Sequence, residues 1–365
     1  MNKKMKIIPV FVPHIGCPND CVFCNQKKIT GMGTVSANAK YVEDIVEECR
    51  KTIDKDTYTE LAFFGGSFTA IDIRVQEELL KVGKQYKDLG VIQSIRCSTR
   101  PDAINNEILE LQKIYGMDII ELGIQSLDDE VLKISNRGHN RHHCEEASRL
   151  IKKHGFILGH QIMPGLPGST IEKDMKTCID SISMHPSMVR IYPTLIIKDT
   201  DLVDMYCDGR YKPLTLDEAV NISAYMYSQY SINNIKVIRI GLQNTDSINK
   251  DEDVVAGPFH AAFRQLVEEK LYLTSIILTL GNLNLIDRHI TIAADKKIIS
   301  SISGQKKNNI IKLKQKFLLK NISFIGSQSE NLIEIYDEHN NKIGSIYKKD
   351  IFENYLNCKQ GETCI

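Results

Sequence analysis

From its amino end to about Gln243, this 365-residue chain alternates short apolar, β-branched runs with longer stretches of helical periodicity. No other feature constrains the fold as much, because strands joined through helices pair in parallel beneath a helical layer. The strand runs are Ile7 to Val12, Leu61 to Phe64, Ile92 to Ser98, Ile119 to Ile124, Ile157 to Met163, Val189 to Pro193 and Val237 to Ile240. Seven such runs suit a barrel better than a sandwich. Between them, Val42, Ile45, Val46, Cys49 and Ile53 share one helical face, as do Ile171, Met175, Cys178, Ile179 and Ile182. Both stripes are expected in the core.

After Gln243 the rhythm changes, and Gly257-Pro258 breaks the chain. The expected organisation is α/β: an open or partial β/α barrel over residues 1–243, then a small α+β domain over residues 244–365. In the latter, Leu332 to Tyr336 and Ile343 to Tyr347 alternate apolar and polar residues around Asp337 to Lys342, a hairpin signal. Residues 296 to 320 hold eight lysines and no acid. Lysines mixed with Ile310, Ile311, Leu313 and Phe317 read as an amphipathic surface helix. The alternative is a phosphate-gripping patch.

Composition excludes several classes. The 46 basic and 46 acidic residues cancel, so the molecule has no global field for collecting nucleic acid or anionic membrane. No run approaches the ~18 uncharged apolar residues of a membrane span. The apolar run after the first lysines is short for a signal peptide and lacks small residues at a cleavage site. Ten cysteines are too sparse for a disulfide scaffold, so a reducing cytoplasm is the expected compartment.

The chemistry lies just beyond the first strand, in Gly16-Cys17-Pro18-Asn19-Asp20-Cys21-Val22-Phe23-Cys24. Thiols spaced by four and three can wrap one centre, and soft thiolates select zinc or an iron–sulfur cluster. A structural zinc site wants a fourth ligand nearby, and only His14 offers itself, at an irregular spacing. Three cysteines on a four-iron cubane leave one iron open to a small molecule. Prolines, Asn19 and Asp20 argue for a loop against a buried core segment. Cys358 and Cys364 form a separate pair in the tail with no assigned role.

These residues resemble a family. Cys17, Cys21 and Cys24, with Phe23 before the third, are similar to the cluster loop of radical S-adenosylmethionine (SAM) enzymes. About 40 residues on, Phe64-Gly65-Gly66-Ser67-Phe68-Thr69 resembles the motif after the second strand that receives the SAM amine; glycines there let backbone approach a ligand. Thr99-Arg100-Pro101-Asp102, Glu121-Leu122-Gly123-Ile124-Gln125-Ser126, Asn136-Arg137-Gly138-His139, Met163-Pro164-Gly165-Leu166-Pro167 and Arg190-Ile191-Tyr192-Pro193-Thr194-Leu195 follow in order. Together they resemble the radical-SAM part of the Elongator catalytic-subunit family, which modifies wobble uridines in transfer RNA. Most fall at the carboxyl ends of expected strands, where barrel enzymes place their sites.

The resemblance implies a [4Fe–4S] cluster on Cys17, Cys21 and Cys24, with SAM held by Gly65, Gly66, Ser67, Arg100, Gln125 and Arg137. It also implies reductive cleavage of SAM to a 5'-deoxyadenosyl radical, an electron donor such as ferredoxin or flavodoxin, and a transfer-RNA substrate. Arg100 and Arg137 supply forks for a carboxylate, and Gln125 offers donor and acceptor to a ribose or adenine edge. Two departures stand out. Ser98 occupies the position where family members usually carry glutamate, and the roughly 120 residues after the barrel are fewer than the family's acetyltransferase-like domain requires.

The oxygen-independent coproporphyrinogen oxidase group shares looser forms of these motifs, so a porphyrin or other small anion is a rival substrate. A metal-stabilised RNA-binding module is the rival class. His139, His142 and His143 near Cys144 read as a solvated helix start with Cys144 in the core, and His260 as structural; no metal is assigned to them.

Overall fold

The computed structural model describes residues 5–12, 17, 21–25, 37–54, 56–242 and 253–360. The chain divides into two compact units, Met1–Leu214 with Gln243–Phe259 and Thr215–Leu242 with His260–Ile365.

In chain order the first unit carries β1 (Met5–Val12), α1 (Ala39–Arg50), β2 (Tyr58–Gly65), α2 (Ile73–Asp88), β3 (Ser94–Thr99), α3 (Asn106–Ile114) and β4 (Ile119–Gln125). It continues through α4 (Asp129–Ile134), α5 (Arg141–Lys153), β5 (Ile157–Ile162), α6 (Ile171–Ser183), β6 (Met188–Ile191), β7 (Ile196–Ile197) and α7 (Asp201–Cys207). Strands β1 to β6 lie side by side in sequence order, each parallel to the next. A doubly wound sheet would reverse its order partway; sequential order is that of a barrel, and the partial β/α barrel expected from the alternation is what forms.

Side-chain alternation along the strands sorts the two faces of this sheet. Leu61 and Ile95 lie against Gly83 of α2, where an added Cβ would sit 3.1 and 3.3 Å from them. They therefore face the helices. Their neighbours Glu60 and Arg96 point to the opposite, inner face, as do Glu121, Gly159 and Arg190 one strand after another.

The stripe expected on α6 is corrected. Asp174, Thr177, Cys178 and Ser181 are buried, whereas Ile179 is 45% exposed. Polar groups win this face because each meets a partner. Asp174 accepts from the Gly165 N–H at 2.8 Å and the Ser169 hydroxyl at 2.6 Å, and the Leu127 N–H donates to Thr177 at 3.2 Å. His160, fully buried on β5, bonds Ser181 at 2.8 Å and Ser148 of α5 at 3.1 Å.

This histidine makes stability pH-dependent. Burial, with the nearby Lys152 charge, pushes His160 down to about 3, while an unfolded chain takes up that proton below about pH 6.5. Its contribution is complete above that pH and is lost as pH falls towards 3. Burial raises Asp174 to about 7, so that group works in the opposite sense, losing stability as pH rises towards 7. A His160→Gln variant is therefore expected to lose less melting temperature than wild type between about pH 7.5 and about pH 5. Equal losses would refute the assignment.

The second unit begins with α8 (Leu216–Ile232), opened by a Thr215–Glu218 capping box, and β8 (Lys236–Ile240). The chain then supplies β9 (Val254–Ala256), which pairs antiparallel with β7 in the first unit. It returns as α9 (Phe263–Leu280), β10 (His289–Asp295), α10 (Ile299–Ser303), α11 (Asn308–Phe317), β11 (Asn321–Ser327), β12 (Leu332–Tyr336), β13 (Lys342–Tyr347) and α12 (Asp350–Gln360). The four-stranded sheet runs β11-β10-β12-β13. The expected β12–β13 hairpin forms, its turn held by the Asp337 carboxylate, which accepts from the His339 and Asn341 N–H groups at 2.9 and 2.8 Å.

The expected helix in the lysine run is α11, with Leu313 and Phe317 buried but Ile311 49% exposed. Asn309 takes the inward place because its amide donates to the Glu269 carbonyl at 2.9 Å. Among the described residues no helix is long and apolar enough to cross a membrane.

Candidate active site

The loop after β1 is described at Cys17 and from Cys21 to Asn25. A turn closes where the Cys24 N–H donates to the Cys21 carbonyl at 2.9 Å. Val22 anchors this turn twice: its N–H donates to Ser135 O at 3.2 Å and its carbonyl accepts from Leu202 N–H at 2.7 Å. Its side chain packs with Ile196, Leu202, Met205 and Tyr211. Asn25 donates to the carbonyls of Lys198 and Asp199 at 3.2 and 3.3 Å. The apolar residue inside the cysteine motif thus fastens the loop, leaving Cys21 buried and Cys17 and Cys24 half-buried. Among the described residues no three His, Cys, Asp or Glu side chains converge on a single metal ion.

Beside this loop, β2 ends at Gly65, whose φ of 105° is open only to glycine at little cost. The Gly66 N–H donates to Val12 O at 3.3 Å, joining the ends of β1 and β2. The Ser67 hydroxyl is buried, 2.8 Å from Thr99 Oγ1, and accepts from the Arg100 N–H at 3.0 Å. It ties the end of β2 to the end of β3.

Two arginines close on the thiols. Arg100 is held by both oxygens of Asp102 at 2.9 Å, and its Nη1 lies 3.7 Å from Cys17 Sγ. Arg137 donates through Nη1 to Cys21 Sγ at 3.2 Å and through Nη2 to Gly123 O at 2.7 Å, and its guanidinium lies 5.9 Å from the Phe23 ring centroid. Arg100 Nη2 donates to the Arg137 carbonyl, so the two are linked. Burial pushes the Asp102 carboxyl up, but the Arg100 bonds and charge outweigh it and hold the group below its ordinary range. Gln125, at the end of β4, adopts φ 63° at a register shift in the β4–β5 pairing and accepts from Gln161 Nε2 at 3.3 Å. A Cβ on Gly123 would come 2.9 Å from Gln125 Nε2 and 3.5 Å from Arg137 Nη2. The glycine keeps room for both.

His139 corrects the expectation of a solvated helix start. It is 5% exposed, its Nε2 lies 3.3 Å from Ile124 O, and burial followed by the Arg137 charge pushes it down to about 3. It is therefore a neutral member of the arginine cluster, placed there because α5 begins only at Arg141 and the preceding loop folds inward. His142 and His143 are exposed as expected, and Cys144 is core.

Deeper on the inner face lies an ion network that was not singled out from the sequence. Arg96 Nε is 2.7 Å from Glu60 and its Nη1 contacts Glu121, while Arg190 Nε is 2.7 Å from the other oxygen of Glu121. All four side chains are 7% exposed or less. Glu121 reaches across β5 to β6 only because Gly159 stands between: a Cβ there would be 2.7 Å from Glu121 Cγ. Arg190 also lies over Phe64, 5.2 Å from the ring centroid. The available signal was a single charge beside or inside the apolar runs, Glu60 immediately before Leu61 to Phe64 and Arg96 within Ile92 to Ser98, opposite in sign on neighbouring strands.

Residues 11–178 match the Radical SAM superfamily, and residues 186–272 match the Radical_SAM C-terminal domain. The chain belongs to the radical SAM superfamily and is an enzyme of that class. Uncharacterized protein MJ0486 of Methanocaldococcus jannaschii is 32% identical over 235 residues, covering 60% of this chain and 70% of that protein. The tRNA uridine(34) acetyltransferase of Methanocaldococcus infernus is 32% identical over 203 residues, 50% of this chain but 38% of the transferase, so the chain spans well under two thirds of that relative. The solved structure of the M. infernus Elp3 lacking residues 1–46 shares the fold, with TM-score 0.57 and 23% identity over 74% of this chain and 63% of that one. The radical-SAM region is thus similar to that of the transferase.

Proposed function

We propose that Cys17, Cys21 and Cys24 hold a [4Fe–4S] cluster, that Gly65, Gly66, Ser67, Arg100, Gln125 and Arg137 surround SAM, and that the enzyme acts on an RNA base, in the first instance in transfer RNA. When bound, cluster and SAM supply a 5'-deoxyadenosyl radical after one-electron reduction by a ferredoxin- or flavodoxin-class donor, in a reducing cytoplasm.

The observation that carries the cofactor reading is Arg137. Its Nε is buried and has no hydrogen-bond partner, while its other nitrogens are committed to Cys21 Sγ and Gly123 O. An orphaned buried guanidinium donor beside a thiol loop fits a carboxylate ligand. The chain's own tasks are then positional: Val22 fixes the thiol loop, and Gly65 and Gly66 open the end of β2.

Arginine pairing favours an RNA base over a porphyrin. Arg96 and Arg190 are neutralised by Glu60 and Glu121, and Arg100 by Asp102. A substrate with several carboxylates would find these three cations already occupied, and Arg137 is the cation assigned above to SAM. On the second unit, Lys306, Lys307, Lys312 and Lys316 are exposed, and within residues 296–320 Lys297 alone has an ion-pair partner among the described residues. Such lysines suit phosphate contacts, which give affinity without sequence preference.

Dithionite-reduced, reconstituted enzyme is expected to form 5'-deoxyadenosine from SAM. None formed by protein with an intact cluster, with or without transfer RNA, would overturn the reading. Neutralising Lys306, Lys307, Lys312 and Lys314 together is expected to flatten the log-affinity against log-salt slope for transfer RNA by about three units. An unchanged slope in the folded variant would return these lysines to ordinary surface.

A further inference from the structure

Arg137 is a buried cation with no carboxylate partner among the described residues. It is 6% exposed, and among the described residues it makes no ion pair with Asp or Glu. Its neighbour Arg100, 4% exposed, differs in this respect because Asp102 neutralises it through two bonds. An uncompensated buried charge is costly, so the fold that buries Arg137 needs an anion beside it. Nη1 donates to Cys21 Sγ at 3.2 Å, the sulfur placed at the cluster above. Nor is the guanidinium free to turn away: Nη2 is fixed to Gly123 O and the Phe23 ring lies alongside.

We propose that Arg137 is the counter-charge of the cluster and sets its reduction potential, while Arg100, already paired, contributes much less. This rests on the cluster reading above. One electron from a low-potential donor adds one negative charge to the thiolate-ligated centre, and no bond is made or broken. A fixed cation and N–H donor at a ligating sulfur favours the more negative, reduced state, and so raises the potential. The asymmetry between the two arginines separates this from a general packing role, since both are buried and both lie by a thiol.

The test is a potentiometric titration, followed by electron paramagnetic resonance with dithionite as reductant and SAM absent, so that cofactor binding does not enter. Arg137→Gln is expected to shift the midpoint negative by a tenfold or greater change in the reduction equilibrium, which is 59 mV for a one-electron couple. Arg137→Lys, which keeps the charge, is expected to lie nearer wild type, and Arg100→Gln to shift less than Arg137→Gln. Midpoints alike in wild type, Arg137→Gln and Arg137→Lys would overturn the proposal. If Arg137→Gln loses its iron, an Arg137→Lys protein that keeps its iron and a midpoint near wild type supports the counter-charge, and an Arg100→Gln shift of 59 mV or more overturns it. Wild-type iron content and signal report separately on the cluster reading.

Discussion

Reconstituted without oxygen, a Cys21→Ala variant is expected to hold less than a quarter of the wild-type iron and sulfide, and to lose the signal of the reduced cluster. Cys21 is the buried member of the triplet, and the backbone on its carboxyl side is fastened at Val22 to Ser135 and Leu202. Cys17→Ala and Cys24→Ala are expected to behave likewise. The controls are Cys207→Ala, an exposed thiol on α7, and Cys97→Ala and Cys144→Ala, whose thiols burial pushes upward, away from the thiolate form that binds metal. These three should keep full iron. A Cys21→Ala protein with wild-type iron content would remove the basis for placing a cluster in this loop.

The second large effect concerns stability. Glu121→Ala strips the counter-charge from Arg190 and part of that from Arg96, and leaves both guanidinium groups buried. Removing one partner of a buried pair costs about 3–5 kcal/mol, whereas an exposed pair such as Lys84 with Asp88 contributes roughly 0–1 kcal/mol. Glu121→Ala should therefore lower the urea midpoint of the barrel severalfold more than Asp88→Ala. Glu121→Gln, which keeps an acceptor in place, should lie between them. Equal midpoints for the two alanine variants would mean that the network adds nothing to the fold.

Both units were partly legible in the sequence, and for a common reason. Alternation of strand and helix periods, the spacing of three thiols, the Gly65-Gly66 pair and the hairpin around Asp337 are properties of neighbouring residues, and local sterics and burial suffice to express them. Partnerships between distant residues are of another kind. Glu121 meets Arg190 across 69 positions because the parallel register sets both on the inner face and Gly159 leaves a gap between them. Asp174, Thr177 and Ser181 displace apolar residues from the inward face of α6 because each meets a hydrogen-bond partner from outside the helix there. His139 lies beside two arginines instead of in solvent, and residues 215–242 join the second unit. Polar burial is decided by partners, and partners are supplied by the tertiary fold; periodicity says only which face is available. The sequence therefore determined the parallel barrel and the thiol loop, while the fold alone decided which charges face one another inside it and set Arg137, unpaired with any carboxylate among the described residues, next to Cys21.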